Sequence, residues 1–395
     1  HGSGWYYNRD SQFAGTSWRA NLIGSGKDDL SWHQFGATLG GPVKKNKLFY
    51  FVDYEGFRRI FSNAFLINLP TLAQRNGVFN FNVTDPTTRQ PFPNRTIPRD
   101  IWDPLGGKLL ALYPDPNLAG RLSGSRFIEN YGVARQGTEK THKGNVKADY
   151  YLSSRHNLAL RYSHLRQDIN RDAILPGLAD GEGNQGAQFN LNHSSGATLT
   201  SNVRPTVVNT LRFAFNRTFA EFAHSTAHDQ TAEQFGFKGI PAEMKQVGGL
   251  PLISISNYRQ LGTRNFRPQS QEPTLLQIGD TVALIHGRHN LRAGFDLRAK
   301  KNLFIDITRR TPAYSFTGAF TGDSISDLIL GAPIQLIVNT VPQIDRNSAM
   351  TPPCLLSGKG VRELVPLQRQ WMEALKLTMI KMFLTRTVSF AAPSQ

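Results

Sequence analysis

Leu291-Arg292-Ala293-Gly294-Phe295-Asp296-Leu297-Arg298 decides how this chain is read. On an extended backbone Leu291, Ala293, Phe295 and Leu297 point one way, while Arg292, Asp296 and Arg298 point the other. The same period of two recurs in Leu211-Arg212-Phe213-Ala214-Phe215-Asn216-Arg217 and in Leu158-Ala159-Leu160-Arg161-Tyr162-Ser163. Each segment therefore carries one apolar and one polar face. A soluble β-sandwich would turn the apolar face inward onto a second sheet. A transmembrane β-barrel would turn it outward onto lipid. Alternation alone does not choose between them.

The connections favour the barrel. Hairpins turn near Gly41-Pro42, Ser153–Asn157, Arg204-Pro205 and His286–Asn290. Between them lie polar stretches of roughly twenty to roughly eighty residues, around strands of roughly ten residues, which is the pattern of tight periplasmic turns and long extracellular loops. A sandwich would place turn signals every 8–12 residues or so. Instead Phe57 to Glu139 lacks sustained alternation and is dense in Pro, Asn and Arg, and loops this long are uncommon inside compact domains. Trp5, Tyr6, Tyr7, Trp32, Tyr50, Tyr54, Tyr150 and Tyr151 stand near strand ends, where interfacial aromatic girdles would sit. Aromatic residues fill soluble β cores too.

Composition sets the outer bounds. With 395 residues, 39% of them hydrophobic, the chain is neither disordered nor a helical membrane protein, and it has no apolar run long enough for a transmembrane helix. No signal peptide is seen and the first residue is His1, so the sequence reads as a fragment or a processed form. The single Cys354 excludes an internal disulfide framework. A net charge of +16 invites a nucleic-acid reading. The basic residues are spread over strands, turns and loops, however, with no helix-turn-helix, zinc-finger or RNA-binding aromatic motif, so no nucleic-acid partner is expected.

Catalytic and metal motifs are not found, and no cofactor is expected. Gly24-Ser25-Gly26-Lys27 lacks the first glycine, the following Ser/Thr and the strand-loop-helix setting of a phosphate loop, and reads as an extracellular loop. His286-Gly287-Arg288-His289 has no nearby carboxylate or Cys to complete a metal site and reads as a solvated turn.

From Ser31 to Arg59 the sequence stops being generic. Trp32-His33-Gln34-Phe35-Gly36-Ala37-Thr38-Leu39-Gly40-Gly41-Pro42-Val43, followed by Lys45-Asn46-Lys47-Leu48-Phe49-Tyr50-Phe51-Val52-Asp53-Tyr54-Glu55-Gly56-Phe57-Arg58, resembles a hairpin of the TonB-dependent, Oar-like outer-membrane receptors. Gly40-Gly41-Pro42 is expected to form its turn. Ile97–Pro104 with Leu109–Asn117, and Tyr314–Gly318 with Asp327–Pro333, are similar to further segments of that family in the same order. The resemblance covers roughly residues 1–337.

It implies an all-β fold: a partial antiparallel transmembrane barrel, about ten strands before residue 340 out of a 22-strand type, with long extracellular loops. His1–Arg9 looks like the point where the family's plug hands over to the barrel, so the plug and its TonB-contacting box are expected to lie outside this chain. The implied location is the bacterial cell outer membrane, among lipid and lipopolysaccharide. The implied function is binding of a bulky nutrient on loops such as Phe57–Glu139, Arg166–Gln188 and Glu221–Gln271, and its energy-coupled import through the TonB complex. Arg161, Arg212, Arg292 and Arg298 would face the lumen as candidate anion contacts; the plainer alternative for each is a salt-bridged or hydrated lumen residue. An open set of strands leaves edges unpaired in lipid, so this chain is expected to be inactive alone. A surface-adhesion or secretion-associated barrel, and a soluble basic β-sandwich binding nucleic acid or glycan, are the competing readings.

After about Val341 the character changes. Residues 341–395 hold the only Cys, four of the five Met, no Tyr and the helix-favouring stretch Leu367–Lys376. The expectation is a domain at 1–340 and an atypical tail at 341–395, read in a shifted frame or otherwise not native to the barrel. A divergent helical extension is the alternative.

Overall fold

Long antiparallel strands dominate the computed structural model, which describes residues 1–180, 186–223, 231–238, 248–264, 268–306, 312–337, 343–351 and 355–357. They are β1 (Gly2–Asp10), β2 (Leu30–Lys44), β3 (Leu48–Ile67), β4 (Arg121–Ser123), β5 (Arg126–Ile128), β6 (Tyr131–Tyr151), β7 (His156–Arg171), β8 (Gly186–Arg204), β9 (Val207–Phe222), β10 (Leu252–Ile255), β11 (Gln269–His286), β12 (His289–Asp306), β13 (Ala313–Phe316), β14 (Gln335–Ile337), β15 (Gln343–Thr351) and β16 (Leu355–Ser357). Eleven form one sheet in the order β1-β2-β3-β6-β7-β8-β9-β11-β12-β15, with β16 also paired to β12. Among the described residues β1 and β15 each pair on one side only, so the sheet is a wall with two edges. Nine of its strands precede residue 340. Within the expected tail, β15 pairs with β12 over Gln343–Thr351, whereas residues 358–395, including Leu367–Lys376, lie outside the described residues.

The connections alternate as the sequence suggested. Turns of two to four residues join β2 to β3, β6 to β7, β8 to β9 and β11 to β12, all at one end of the sheet. The first of these is displaced from its expected place. Gly41 and Pro42 remain in strand, opposite Tyr50 and Phe49, and the register shifts between Pro42 and Lys44. The chain reverses at Lys45–Lys47, where Asn46 takes the left-handed conformation at φ 56° that few residues besides Gly and Asn accept. Glycine next to proline signalled a turn, but the Asn that tolerates left-handed geometry sets it.

The strands are also longer than expected. β3 has 20 residues and β6 has 21, against the ten or so anticipated, so residues 57–67 and 131–139 are strand rather than loop. Likewise β7 continues to Arg171 and β9 to Phe222, which trims the expected loops at both ends. At ~3.3 Å per residue such strands run about 65–70 Å, far more than a tilted crossing of an apolar band ~25 Å tall requires. Their upper halves leave the lipid zone, where no face needs to be uniformly apolar, so the ladder continues after the alternation ends.

The core does not lie on the sheet. Leu39, Val146, Phe213 and Phe295 on its apolar face are 40–50% exposed, Leu39 slightly more. No second sheet covers them among the described residues, which rules out the sandwich reading. The fully buried apolar residues cluster instead in the long connections: Leu69, Ile97, Leu110, Leu250, Ile253, Leu261, Ile325 and Leu328 belong to one cluster. Ile67 and Tyr131, at the ends of β3 and β6, pack against it. Residues 68–130, 172–180, 231–238, 248–264 and 312–337 thus contribute to a packed cap at the end of the sheet opposite the short turns.

Candidate functional site

Directly opposed residues of an antiparallel pair share a face, so the register carries the placement of the sequence candidates. Arg298 stands opposite Gln277, then Ala214, Gly196, Arg161 and Lys147, in one row across six strands. The next row towards the short turns holds Asp296, Gly279, Arg212, Thr198, Ala159 and Asp149. Arg292 lies on the same face, two rows nearer the turns. All four candidate arginines therefore share the polar face and are exposed.

They do not form a cluster. Arg161 and Arg298 are four strand spacings apart, about 19 Å, and Arg212 is about 10 Å from Asp296. Arg298 is ion-paired to Asp296 at 2.9 Å, and Asp296 also accepts from Gln277 Nε2 at 2.6 Å. Arg161 lies over Gly196, its Cγ and Nε 3.5 Å from where a Cβ would stand. The face as a whole is polar and cross-linked by side chains: Asn145 donates to Asp53 at 2.6 Å, Asn192 to Thr218 at 2.7 Å, and Lys147 pairs with Asp149 at 2.8 Å.

The cap is the second part of the site. Asp323, fully buried, caps the helix Ser324–Ile329 through the amides of Ile325 and Ser326, and its other oxygen takes Arg126 Nη2 at 3.1 Å. Asp327, equally buried, accepts from Gly318 N at 2.8 Å, Thr321 N at 3.0 Å and Thr321 Oγ1 at 2.6 Å. A second helix, Pro104–Ala111, packs on the first so closely that a Cβ at Gly106 would stand 2.2 Å from the carbonyl oxygen of Leu328. Arg259 pairs with Asp180 at 3.5 Å, both almost fully buried, and the Arg259 carbonyl accepts from Tyr113 Oη. These bonds tie together segments far apart in sequence.

Between Leu105, Leu109, Phe237, Ile253, Tyr314 and Phe316 the cap encloses a cavity of about 130 Å³. Ligand pockets usually exceed about 300 Å³, so a bulky solute does not fit there.

The outer membrane beta barrel domain model matches residues 1–351, nearly the whole described chain. The chain belongs to this family. No curated protein matches the sequence of this barrel domain. Among solved structures it is similar to a mutant of the ferric enterobactin receptor of Pseudomonas aeruginosa (11% identity, TM-score 0.35, 78% of this chain and 32% of the receptor). It is also similar to the outer-membrane transporter YddB of Escherichia coli (9% identity, TM-score 0.38, 88% and 35%) and to a FadL homologue of Pseudomonas aeruginosa (8% identity, TM-score 0.18, 82% and 66%). The barrel domain spans about a third of the first two proteins.

Membership of a membrane-barrel family places the domain in the outer membrane and outside the enzymes. Among the described residues no group of three or more His, Cys, Asp or Glu could hold a metal. His286 and His289 close the β11–β12 hairpin opposite one another, with Gly287 at φ 58° as the first turn residue. Gly24 ends the helix Trp18–Ile23 in left-handed geometry, on the connection from β1 to β2.

Sequence reading missed the cap. The signals were local: Thr71 and Gln74 form a capping box, and Asp103 and Asp323 each precede a short helix whose amides they accept. What could not be read was which of these pieces touch.

Burial in the cap has a consequence at high pH. Burial, with the Asp323 charge second, pushes the Tyr258 phenol up to about 12 from its ordinary value near 10, and burial also raises Tyr113. The folded cap therefore holds the Tyr258 proton over a range in which the unfolded chain has lost it. Cap stability is expected to be unaffected by Tyr258 below about pH 10, and to fall as pH rises from about 10 towards 12. Proteolysis rates within residues 68–130, measured from pH 8 to 11.5, should rise only in the upper part of that range. A flat rate through pH 11.5 would contradict the assignment.

Proposed function

We propose that the barrel domain is part of the wall of an energy-coupled outer-membrane receptor that imports a bulky solute. The observation that carries this reading is the cap: the long connections at one end fold around a shared core, and so present a fixed surface for recognition. Loops that carry function on a rigid scaffold are the common arrangement. The polar face supplies a hydrated path past Arg161, Arg212, Arg292 and Arg298, with these arginines as contacts for anionic groups. TonB and a plug belong to the same reading as partners outside residues 1–351.

The test is uptake by cells producing the longest natural form of the protein, using radiolabelled nutrients too large for general porins. At least one solute should accumulate, and a protonophore should stop its accumulation while leaving surface binding intact. Surface binding without accumulation would replace transport with adhesion.

A further inference from the structure

On the apolar face β7 and β8 bring two imidazoles together. His164 stands directly opposite His193, and their ring centres are 4.9 Å apart with the planes inclined at 48°. Both residues are half-buried. His164 lies roughly 20 Å of height above the start of β7 at His156, at ~3.3 Å per residue and a tilt of ~40°. The pair thus sits towards the upper edge of the apolar band, within reach of water.

Each ring has a nitrogen suited to a metal. Tyr162 Oη is 2.6 Å from His193 Nδ1. With the Nδ1 proton donated to Tyr162, Nε2 of His193 keeps its lone pair, which is how an outer hydrogen bond prepares a ligating histidine. His164 Nδ1 is shut off from solvent and has no hydrogen-bond partner among the described residues. Buried polar atoms are nearly always satisfied, and an ion is one of the few explanations for one that is not.

The spacing agrees. A ligating imidazole nitrogen lies about 2.0–2.1 Å from a divalent metal, which puts the ring centre about 3.2 Å away. Two rings on one metal then have centres about 4.5 Å apart at a right angle and about 5.2 Å apart at a tetrahedral angle. The observed 4.9 Å falls between these limits.

The plainer role for such histidines is to fill an interfacial belt, and part of the pattern fits it. The same Tyr–His contact recurs at Tyr6–His33, 2.6 Å, and Tyr54–His142, 2.7 Å. There, however, His33 faces Asn8 and Arg58, and His142 faces Gly56 and Arg166, so neither meets a second imidazole. His142 Nε2 is in addition taken by Arg58 Nη2 at 2.6 Å. A belt accounts for the tyrosine contacts but not for two opposed imidazoles with one nitrogen unpaired. Nearby charge does not forbid a cation. Arg166, next above His164 on the same face, pairs with Asp168 at 3.0 Å, and Arg217, opposite His193, pairs with Glu272 at 3.4 Å.

We propose that His164 and His193 form a two-imidazole site for a divalent transition metal, binding Cu2+ more tightly than Ni2+ or Zn2+, that clasps β7 to β8 below the connection between them. Among the described residues no third His, Cys, Asp or Glu joins the pair, so water fills the remaining positions. The site depends on the β7–β8 register and stands whether or not the domain transports a solute.

The experiment uses the full chain in non-ionic detergent near neutral pH, with CuCl2 as the probe. A His1→Ser, His286→Gln, His289→Gln background removes the chelate at the first residue and the other opposed pair, at the β11–β12 turn. One Cu2+ per chain is expected, with the electron paramagnetic resonance signature of two equatorial nitrogens. His164→Gln and His193→Gln should each abolish that species, and His142→Gln should leave it intact. Tyr162→Phe keeps both ligands but frees the His193 ring, and should weaken binding about tenfold. Saturating Cu2+ should also slow amide hydrogen exchange on β7 and β8 more than on β2 and β3, a readout that needs no change at the site. Undiminished two-nitrogen Cu2+ binding after His164→Gln or His193→Gln, or exchange on β7 and β8 that ignores the metal, would overturn the site.

Discussion

Phe213→Arg is expected to stop the barrel domain from assembling in a membrane, at a cost of about 2–4 kcal/mol for the charge alone. Phe213 lies on the apolar face in a row with Leu160, Ala197, Ile278 and Leu297. It stands six residues above Val207, or roughly 15 Å of height at ~3.3 Å per residue and a tilt of ~40°, near the middle of the band. Water cannot reach an arginine there, and the lost ring contacts add to the penalty. Ser194→Arg is the matched control. Ser194 is on β8 beside the same strand, but it faces Ser163 and Asn216 on the polar side, where substitution should change stability by no more than about 0.5 kcal/mol. Refolding into lipid vesicles, followed by urea titration, separates the two. If both variants insert equally well, the apolar face does not meet lipid and the wall reading fails.

That contrast was legible in sequence because β7, β9 and β12 pass between two different solvents, so every second residue answers to one of them. Hairpin positions were legible wherever the turn residues had no rival. At β2–β3 they had one: Gly40, Gly41 and Pro42 looked like the turn, yet Gly40 serves the strand, where the Phe51 ring would stand 3.1 Å from any Cβ. The upper strand halves could not be read, since Tyr131-Gly132-Val133-Ala134-Arg135-Gln136-Gly137 meets the cap on one stretch and water on another. That the four arginines share one face of the sheet could be read from period alone. Their separation was not readable, because it depends on which strand neighbours which.

The cap depends on contacts of the same non-local kind, and Asp327 is where its loss should be largest. Its carboxylate is fully buried and satisfies two backbone amides and one hydroxyl. Asp327→Ala would leave the Gly318 and Thr321 amides without an acceptor, at about 1–3 kcal/mol each, of which relaxation recovers part, while the Thr321 hydroxyl keeps the Asp323 carbonyl. A net loss of about 3 kcal/mol is expected from the two unsatisfied amides. The sheet meets this core at Ile67 and Tyr131, where β3 and β6 end, so the damage should be confined to that end. Protease cleavage within residues 68–130 should quicken by about 100-fold or more, since each 1.4 kcal/mol of opening free energy is worth about a factor of ten when reclosing outruns cleavage. Vesicle insertion should be unchanged. Asp327→Asn keeps a carbonyl oxygen for part of the network and should fall between the two. Solute binding should be lost together with cap protection, because a recognition surface built from several connections exists only while their shared core holds. Unaltered protease resistance in Asp327→Ala would mean that the sheet, and not this network, holds the connections in place.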